Sequence, residues 1–235
     1  MPVITDVQLP LTVEEITASW GPRRARLTST RMMTMVSELL ARAEANRWIQ
    51  PKVSFDVWPI VSSGLGWIEL SGGSRIFSRA LGHHIPRATQ IAAGVCTIGP
   101  ALEEQVSQWF AASDRLRAVM LDEIGTVVLF RLGEQLEGMI RAAAARLSLE
   151  ASGALSPGED GIEISQQATV LKLVRGETIG ILQATSAMLA PRKSLSMLFG
   201  LGSQMRYWSR GERCVVCSAR DRCPHRRVQT VEVAT

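Results

Sequence analysis

Between Asp114 and about Leu147, apolar residues fall at helical spacing: Leu116, Met120, Ile124, Val127, Val128, Leu132, Leu136, Met139, Ile140 and Ala143. This stripe predicts a single helix of up to ~50 Å at 1.5 Å rise per residue. Gly125, Gly133 and Gly138 weaken it and permit close packing against a neighbour. Upstream, Thr12-Val13-Glu14-Glu15 carries the Ser/Thr-x-x-Glu capping box, in which each side chain satisfies the other residue's free backbone N–H, so a short helix is predicted to begin there. A second helix is predicted over about 29–48, with Met32, Val36, Leu39, Leu40 and Ala43 on one stripe and Pro51 as its stop.

From Val53 to Ile98 the pattern changes to short strand-like runs, at 54–58, 67–70 and 91–98, separated by turns such as Ser71-Gly72-Gly73. Gly99-Pro100 opens a further helix, with Glu103 and Glu104 in the first turn, where the positive end of the helix dipole favours them. Leu102, Val106, Trp109 and Phe110 form its apolar stripe. A Gly/Pro/Ser loop over 152–161 precedes a helix predicted near 165–174 and strands near 178–184 and 194–201. In the last strand Leu195, Met197 and Phe199 alternate with Ser194 and Ser196, which implies one buried face. The prediction is a small sheet with helical flanks.

Composition sharpens this only modestly. With 46% apolar, 20% charged and 5% aromatic residues, the chain is not a disordered, collagen-like, coiled-coil or disulfide-dense protein. Its length supports a sizeable core, and one continuous domain is expected. The longest uncharged stretches, such as 89–102, are too short for a bilayer of about 30 Å. The first 20 residues carry Asp6, Glu14 and Glu15 and no basic cluster before an apolar run, so no signal peptide is read and a cytoplasmic location is expected.

The net charge of +4 is too mild to argue for nucleic acid, but its distribution is uneven. Seven Arg stand against Glu212 and Asp221 between Arg206 and Arg227. Only Tyr207 and Trp208 are interleaved with them and no nucleic-acid motif is present, so a nucleic-acid partner is not favoured.

The cysteines carry the strongest chemical signal. Cys96 stands alone, whereas Cys214-x2-Cys217-x5-Cys223-Pro224 places three thiols within ten residues. In a reducing compartment such clustering points to metal or redox chemistry, and a terminal Cys-Pro suits the turn around an iron–sulfur cluster or a tetrahedral zinc. Nearby Arg residues would stabilise a cluster of net negative charge. The fourth ligand is open between His225, Cys96 and a small molecule, and Cys96, in an apolar strand-like run, reads better as a small buried hydrophobe.

Other candidates carry less. His83 and His84 are adjacent, so on a strand they would face opposite ways, and they read as a loop pair without chemistry. Asp122-Glu123 reads as solvated carboxylates on the long helix. Ser186 and Ser194 lack a Gly-x-Ser-x-Gly elbow, and no Walker or Rossmann glycine motif is present.

Four motifs in order, Cys96-Thr97-Ile98-Gly99-Pro100-x-Leu102-Glu103, Leu121-Asp122-Glu123-Ile124-Gly125, Ser156-Pro157-Gly158 and Met188-Leu189-x-Pro191-Arg192-Lys193-Ser194-Leu195-Ser196, resemble the activation (reactivation) domain of vitamin B12-dependent methionine synthase. The chain resembles more closely the short stand-alone members of that superfamily. The likeness spans about 91–201. It implies an α+β fold with a curved antiparallel sheet flanked by helices, including one long helix, followed by a C-terminal cysteine-rich tail. It also implies S-adenosylmethionine as ligand and, as partner, a corrinoid protein or cobalamin-dependent methyltransferase whose cobalt has slipped to Co(II).

The family's S-adenosylmethionine motif, Arg-x-x-Pro-Gly-Tyr, is matched at Pro157 and Gly158, while Ala154 replaces Arg and Glu159 replaces Tyr. Pro157, Gly158 and Glu159 are therefore the expected ligand-binding residues, with Glu159 as the nearby charge for a sulfonium and no Arg for the ligand's carboxylate. The expected organisation is an N-terminal helical segment (1–50), an activation-domain-like body (51–205) and an Arg/Cys-rich tail (206–235) with a metal site at Cys214, Cys217, Cys223 and His225. The functional expectation is an accessory protein for reductive reactivation of a corrinoid methyltransferase, with an iron–sulfur cluster in the tail as electron carrier. The alternative is a non-catalytic docking or corrinoid-binding module with a structural zinc tail.

Overall fold

The computed structural model describes residues 3–4, 7–19, 29–78, 81–159, 161–217, 220–221 and 223. Its centre is a curved antiparallel sheet whose strands run in the order β4 (Arg75–Phe77), β3 (Trp67–Leu70), β2 (Lys52–Gly64), β5 (Gln90–Thr97), β9 (Ser194–Gly202) and β6 (Glu150–Ala151), with β1 (Val3–Ile4) also paired to β2. A separate two-stranded hairpin joins β7 (Leu182–Gln183) and β8 (Leu189–Ala190). The helices are α1 (Val13–Ser19), α2 (Thr30–Ala45), α3 (Leu81–His84), α4 (Ala101–Ala111), α5 (Arg115–Arg146), α6 (Gln167–Val174) and α7 (Arg210–Val216). The sheet and its helical flanks have the α+β architecture that the sequence led us to expect.

Alternation along the central strands distributes side chains to two cores. Ala92 and Cys96 of β5 and Met197, Phe199 and Leu201 of β9 join the core that carries α2, α4 and α5. Ile91, Ala93 and Val95, with Leu198, join the core on the opposite side with α6, β3 and β4. The long helix α5 lies across the first face, and Gly94 admits it: a Cβ there would stand 3.0 Å from Ile140 and 3.2 Å from Leu136.

Both faces of β9 are thus covered, where the alternation implied one. The serines of its second face are buried and satisfied: Ser194 Oγ donates to Thr97 Oγ1 at 2.9 Å, and Ser196 Oγ to Gln167 Oε1 at 3.0 Å. Hydrogen bonding removes the cost that would otherwise keep such residues at the surface.

The capping box at α1 is formed reciprocally, with Thr12 N to Glu15 Oε2 at 3.0 Å and Glu15 N to Thr12 Oγ1 at 3.1 Å. Glu15 also pairs with Arg131 of α5, which ties the N-terminal segment to the long helix. The strand predicted over 178–184 is replaced by a 3-10 turn at Gly176–Ile179 and the two residues of β7. Arg175 and Gly180 lie in the left-handed region (φ +51° and +81°), which interrupts an extended run at both ends of that turn. Among the described residues no helix is long and apolar enough to cross a membrane.

Candidate functional site

After β6 the chain runs along the free edge of β9: Ser152 N donates to the Gly200 carbonyl, and Leu155 pairs with Leu198. It then turns tightly. Glu159 N donates to the Ser156 carbonyl at 3.0 Å and Gly158 N to the Ile162 carbonyl at 2.9 Å, with Gly158 at φ +92°, a conformation that glycine adopts without strain. The turn delivers Glu159 to the rim of a cavity of about 150 Å³.

Each wall of that cavity comes from a different element. One face of α5 contributes Phe130, Gly133, Glu134 and Glu137, residues that share a helix face at spacings of three and four. Gly133 leaves room for the sheet, since a Cβ would meet Leu195 at 3.0 Å. Leu195 and Met197 of β9 form the apolar wall, and Ala154, Ser156 and Glu159 form the loop side. The roof is Trp208, Arg210 and Arg213, from the segment expected to be a tail.

That segment is built into the body. Trp208 is buried, and its indole N–H donates to the Ala154 carbonyl at 3.2 Å. Met205 N donates to Glu150 Oε2 at 2.9 Å, and the His84 ring lies tilted against Trp208 at 5.7 Å. A second reciprocal capping box, Ser209 with Glu212, starts α7.

Two guanidinium groups then reach the cavity. Arg213 Nη2 donates to Glu159 Oε2 at 2.8 Å, and Arg210 stacks on the Phe130 ring at 3.4 Å from its centroid. Below them, burial pushes the Glu137 carboxyl above its usual range, against the lowering effect of a Tyr207 hydrogen bond and of Arg141. Arg141 in turn lies over the Tyr207 ring at 4.4 Å.

The expected site residues fare unevenly. Glu159 lines the cavity, whereas Pro157 and Gly158 shape the turn without lining it. Glu159 is one charge among several, since Glu134, Glu137, Arg210 and Arg213 line the same space. Position 154 carries no Arg, but two Arg of the tail line the same cavity. The sequence offered one signal for α7: Ser209-x-x-Glu212 repeats the pattern that marked α1.

For the metal expectation, Cys214 lies within α7, Cys217 is its exposed C-cap and Cys223 is half-buried, while His225 lies outside the described residues. Among the described residues no three His, Cys, Asp or Glu side chains are gathered to hold a metal ion. Cys96 is fully buried in β5, where burial pushes its thiol up to about 12, as expected of a small core residue. His83 and His84 form part of the short helix α3 rather than a loop. Asp122 pairs with Lys193 Nζ at 2.8 Å beside a broad groove of about 1210 Å³ between α4, α5 and the β7–β8 hairpin.

Comparison with known proteins gives a fold and no sequence family. No family model matches the chain, and no curated protein matches its sequence significantly. Among solved structures, the MetH reactivation domain, determined with AdoHcy bound, superposes with a TM-score of 0.64 over 89% of this chain and 81% of that one, at 13% identity. The chain therefore shares the fold of that domain, as its sequence motifs led us to expect.

Proposed function

We propose that this protein binds an S-adenosylmethionine-type ligand in the cavity between α5 and the 154–159 loop and serves the reactivation of a cobalamin-dependent methyltransferase. The observation that carries the reading is the cavity itself. In a chain with the fold of a reactivation domain, it lies where the Pro157-Gly158 turn, the long helix and the last central strand converge. When a partner's corrinoid and the ligand meet, an external one-electron reductant would bring Co(II) to Co(I), which would take the methyl from the sulfonium with S-adenosylhomocysteine as the leaving group; this chain's residues would hold and orient that methyl donor.

The protein's own residues hold the ligand and limit water. Leu195, Met197 and Phe130 supply apolar surface, and the Glu134 and Glu137 carboxylates favour a cationic group. A cavity of about 150 Å³ suits the amino-acid end of such a ligand, being close to engineered cavities that hold a benzene-sized molecule. The partner is a corrinoid protein or methyltransferase, and the setting is the cytoplasm.

An iron–sulfur cluster on Cys214, Cys217 and Cys223 as electron carrier belongs to the same proposal on sequence spacing alone. The described geometry does not gather the three thiols, so no step is routed through a cluster. Calorimetric titration with S-adenosylmethionine tests the ligand, with saturable one-to-one binding expected. Return of an inactive cob(II)alamin methyltransferase to turnover in the presence of a chemical reductant, this protein and S-adenosylmethionine tests the function. Iron and zinc analysis of anaerobically purified protein, with its visible spectrum, decides between a cluster and a structural zinc. Absence of both ligand binding and reactivation would overturn the reading.

A further inference from the structure

The cavity roof is charged in a way that the loop alone would not produce. Three carboxylates line the space, Glu134, Glu137 and Glu159, against two guanidinium groups, Arg210 and Arg213. A simple anion such as phosphate would meet these carboxylates, of which Glu134 is paired with Arg131 and Glu159 with Arg213. A cation alone would be opposed by the two guanidinium groups on the roof. Opposite charges on opposite sides, carboxylates on the helix wall and guanidinium groups on the roof, suit a zwitterion whose two charged groups sit a few bonds apart.

Arg213 is the better placed of the two Arg for an anionic group. Its side chain is only 18% exposed, and Glu159 holds it at 2.8 Å. A guanidinium carries five N–H donors in a fixed fork, so one contact to Glu159 leaves others to direct into the cavity. Arg210, by contrast, is spread over the Phe130 ring.

We propose that Arg213, carried on the tail helix α7, binds the carboxylate of a zwitterionic amino-acid-type ligand, with Glu159 as the positioning residue that holds its fork over the cavity. This rests on the ligand reading above and deepens it. The guanidinium missing at Ala154 is then supplied from 59 positions downstream in sequence, through Trp208 docking against that same alanine's carbonyl.

The test is a cycle between ligand and residue on the full-length protein. S-adenosylhomocysteine and its decarboxylated analogue, which differ by the carboxylate alone, are titrated calorimetrically into wild type, Arg213→Met and Arg213→Lys. Wild type is expected to prefer the carboxylate form by about tenfold, the scale of a charge-assisted bidentate contact. Arg213→Met should reduce that ratio to near one. Arg213→Lys, which keeps charge and fold but loses the fork, should fall between. Equal affinity of wild type for both ligands, or a ratio unchanged in Arg213→Met, overturns the role of Arg213 and leaves the ligand reading standing. Wild type that binds neither ligand overturns both.

Discussion

Two cavities flank the same long helix, and they are organised differently. Around Asp122 the groove is broad and open, with Phe110, Val119 and Met188 exposed along it. One of its two lining cations, Lys193, comes from beside β9, and Nζ is held by Asp122 at 2.8 Å and by Thr126 Oγ1 at 2.7 Å, both on the helix. Around Glu134 and Glu137 the space is small and roofed, and its cations arrive on a segment distant in sequence. The Lys193–Asp122 pair is closed within the body, whereas the roof of the small cavity depends on the tail staying docked. What separates them is Trp208.

Replacing that residue should break the contrast most strongly. Trp208→Ala removes a buried side chain that packs in the second core and caps Ala154. A loss of about 3 kcal/mol is expected, or roughly 6–12 °C in Tm for a chain of this size. The tail should become open to limited proteolysis and ligand affinity at the small cavity should fall. A variant that kept both its Tm and its protease resistance would show that the roof does not depend on Trp208.

Gly153→Ala attacks the same contact from the loop side. A Cβ at 153 would stand 2.3 Å from the Trp208 carbonyl oxygen, a distance only backbone movement can relieve. The expected cost is about 1–3 kcal/mol, read as a lower Tm with earlier tail cleavage and with the Lys193 groove unaltered. Unchanged melting would mean that the loop and tail can part without cost.

The difference between the two cavities also explains what the sequence could reveal. The long helix was legible almost to the residue, as 114–147 against Arg115–Arg146, because an apolar stripe sustained over nine turns has no competing interpretation. The Pro157-Gly158 turn was legible because its chemistry is local. The 178–184 strand was not, since left-handed backbone at Arg175 and Gly180 is set by the packing of the turn.

The roof was hidden for a different reason. Arg213 and Glu159 are 54 residues apart, and no local pattern reports such a pairing. An Arg-rich, cysteine-bearing run reads as a free tail until Trp208 is seen buried beneath it. The start of α7 could have been found, because Ser209-x-x-Glu212 repeats the signature used for α1. Its destination could not.

A smaller effect should come from Glu137. Burial raises its pKa above the ordinary 4.5, so the folded state holds the proton to higher pH than the unfolded chain does. The folded protein then binds more protons over that window, and stability falls as pH rises from about 4.5 through the raised value. Glu137→Gln should remove this slope, leaving the variant more stable than wild type near neutrality. Melting curves between pH 4 and pH 8 would check it. A less stable variant at neutral pH would mean that the Tyr207 hydrogen bond to the carboxylate outweighs its burial.

The smallest effect sharpens the comparison from the groove side. Lys193 is largely covered, but its partner Asp122 is 49% exposed, so water screens much of their attraction. Lys193→Met keeps the apolar stem that packs beneath the ammonium and removes only the charge. The ion pair should then be worth about 0.5 kcal/mol, a Tm shift of no more than roughly 2 °C, with a similar coupling recovered from the cycle with Asp122→Asn. Because Lys193 and Arg213 line different cavities, Lys193→Met should leave the affinity for S-adenosylhomocysteine as it is in wild type. A loss equal to that of Arg213→Met would show that the long helix couples the two spaces and that the small cavity does not depend on the tail alone.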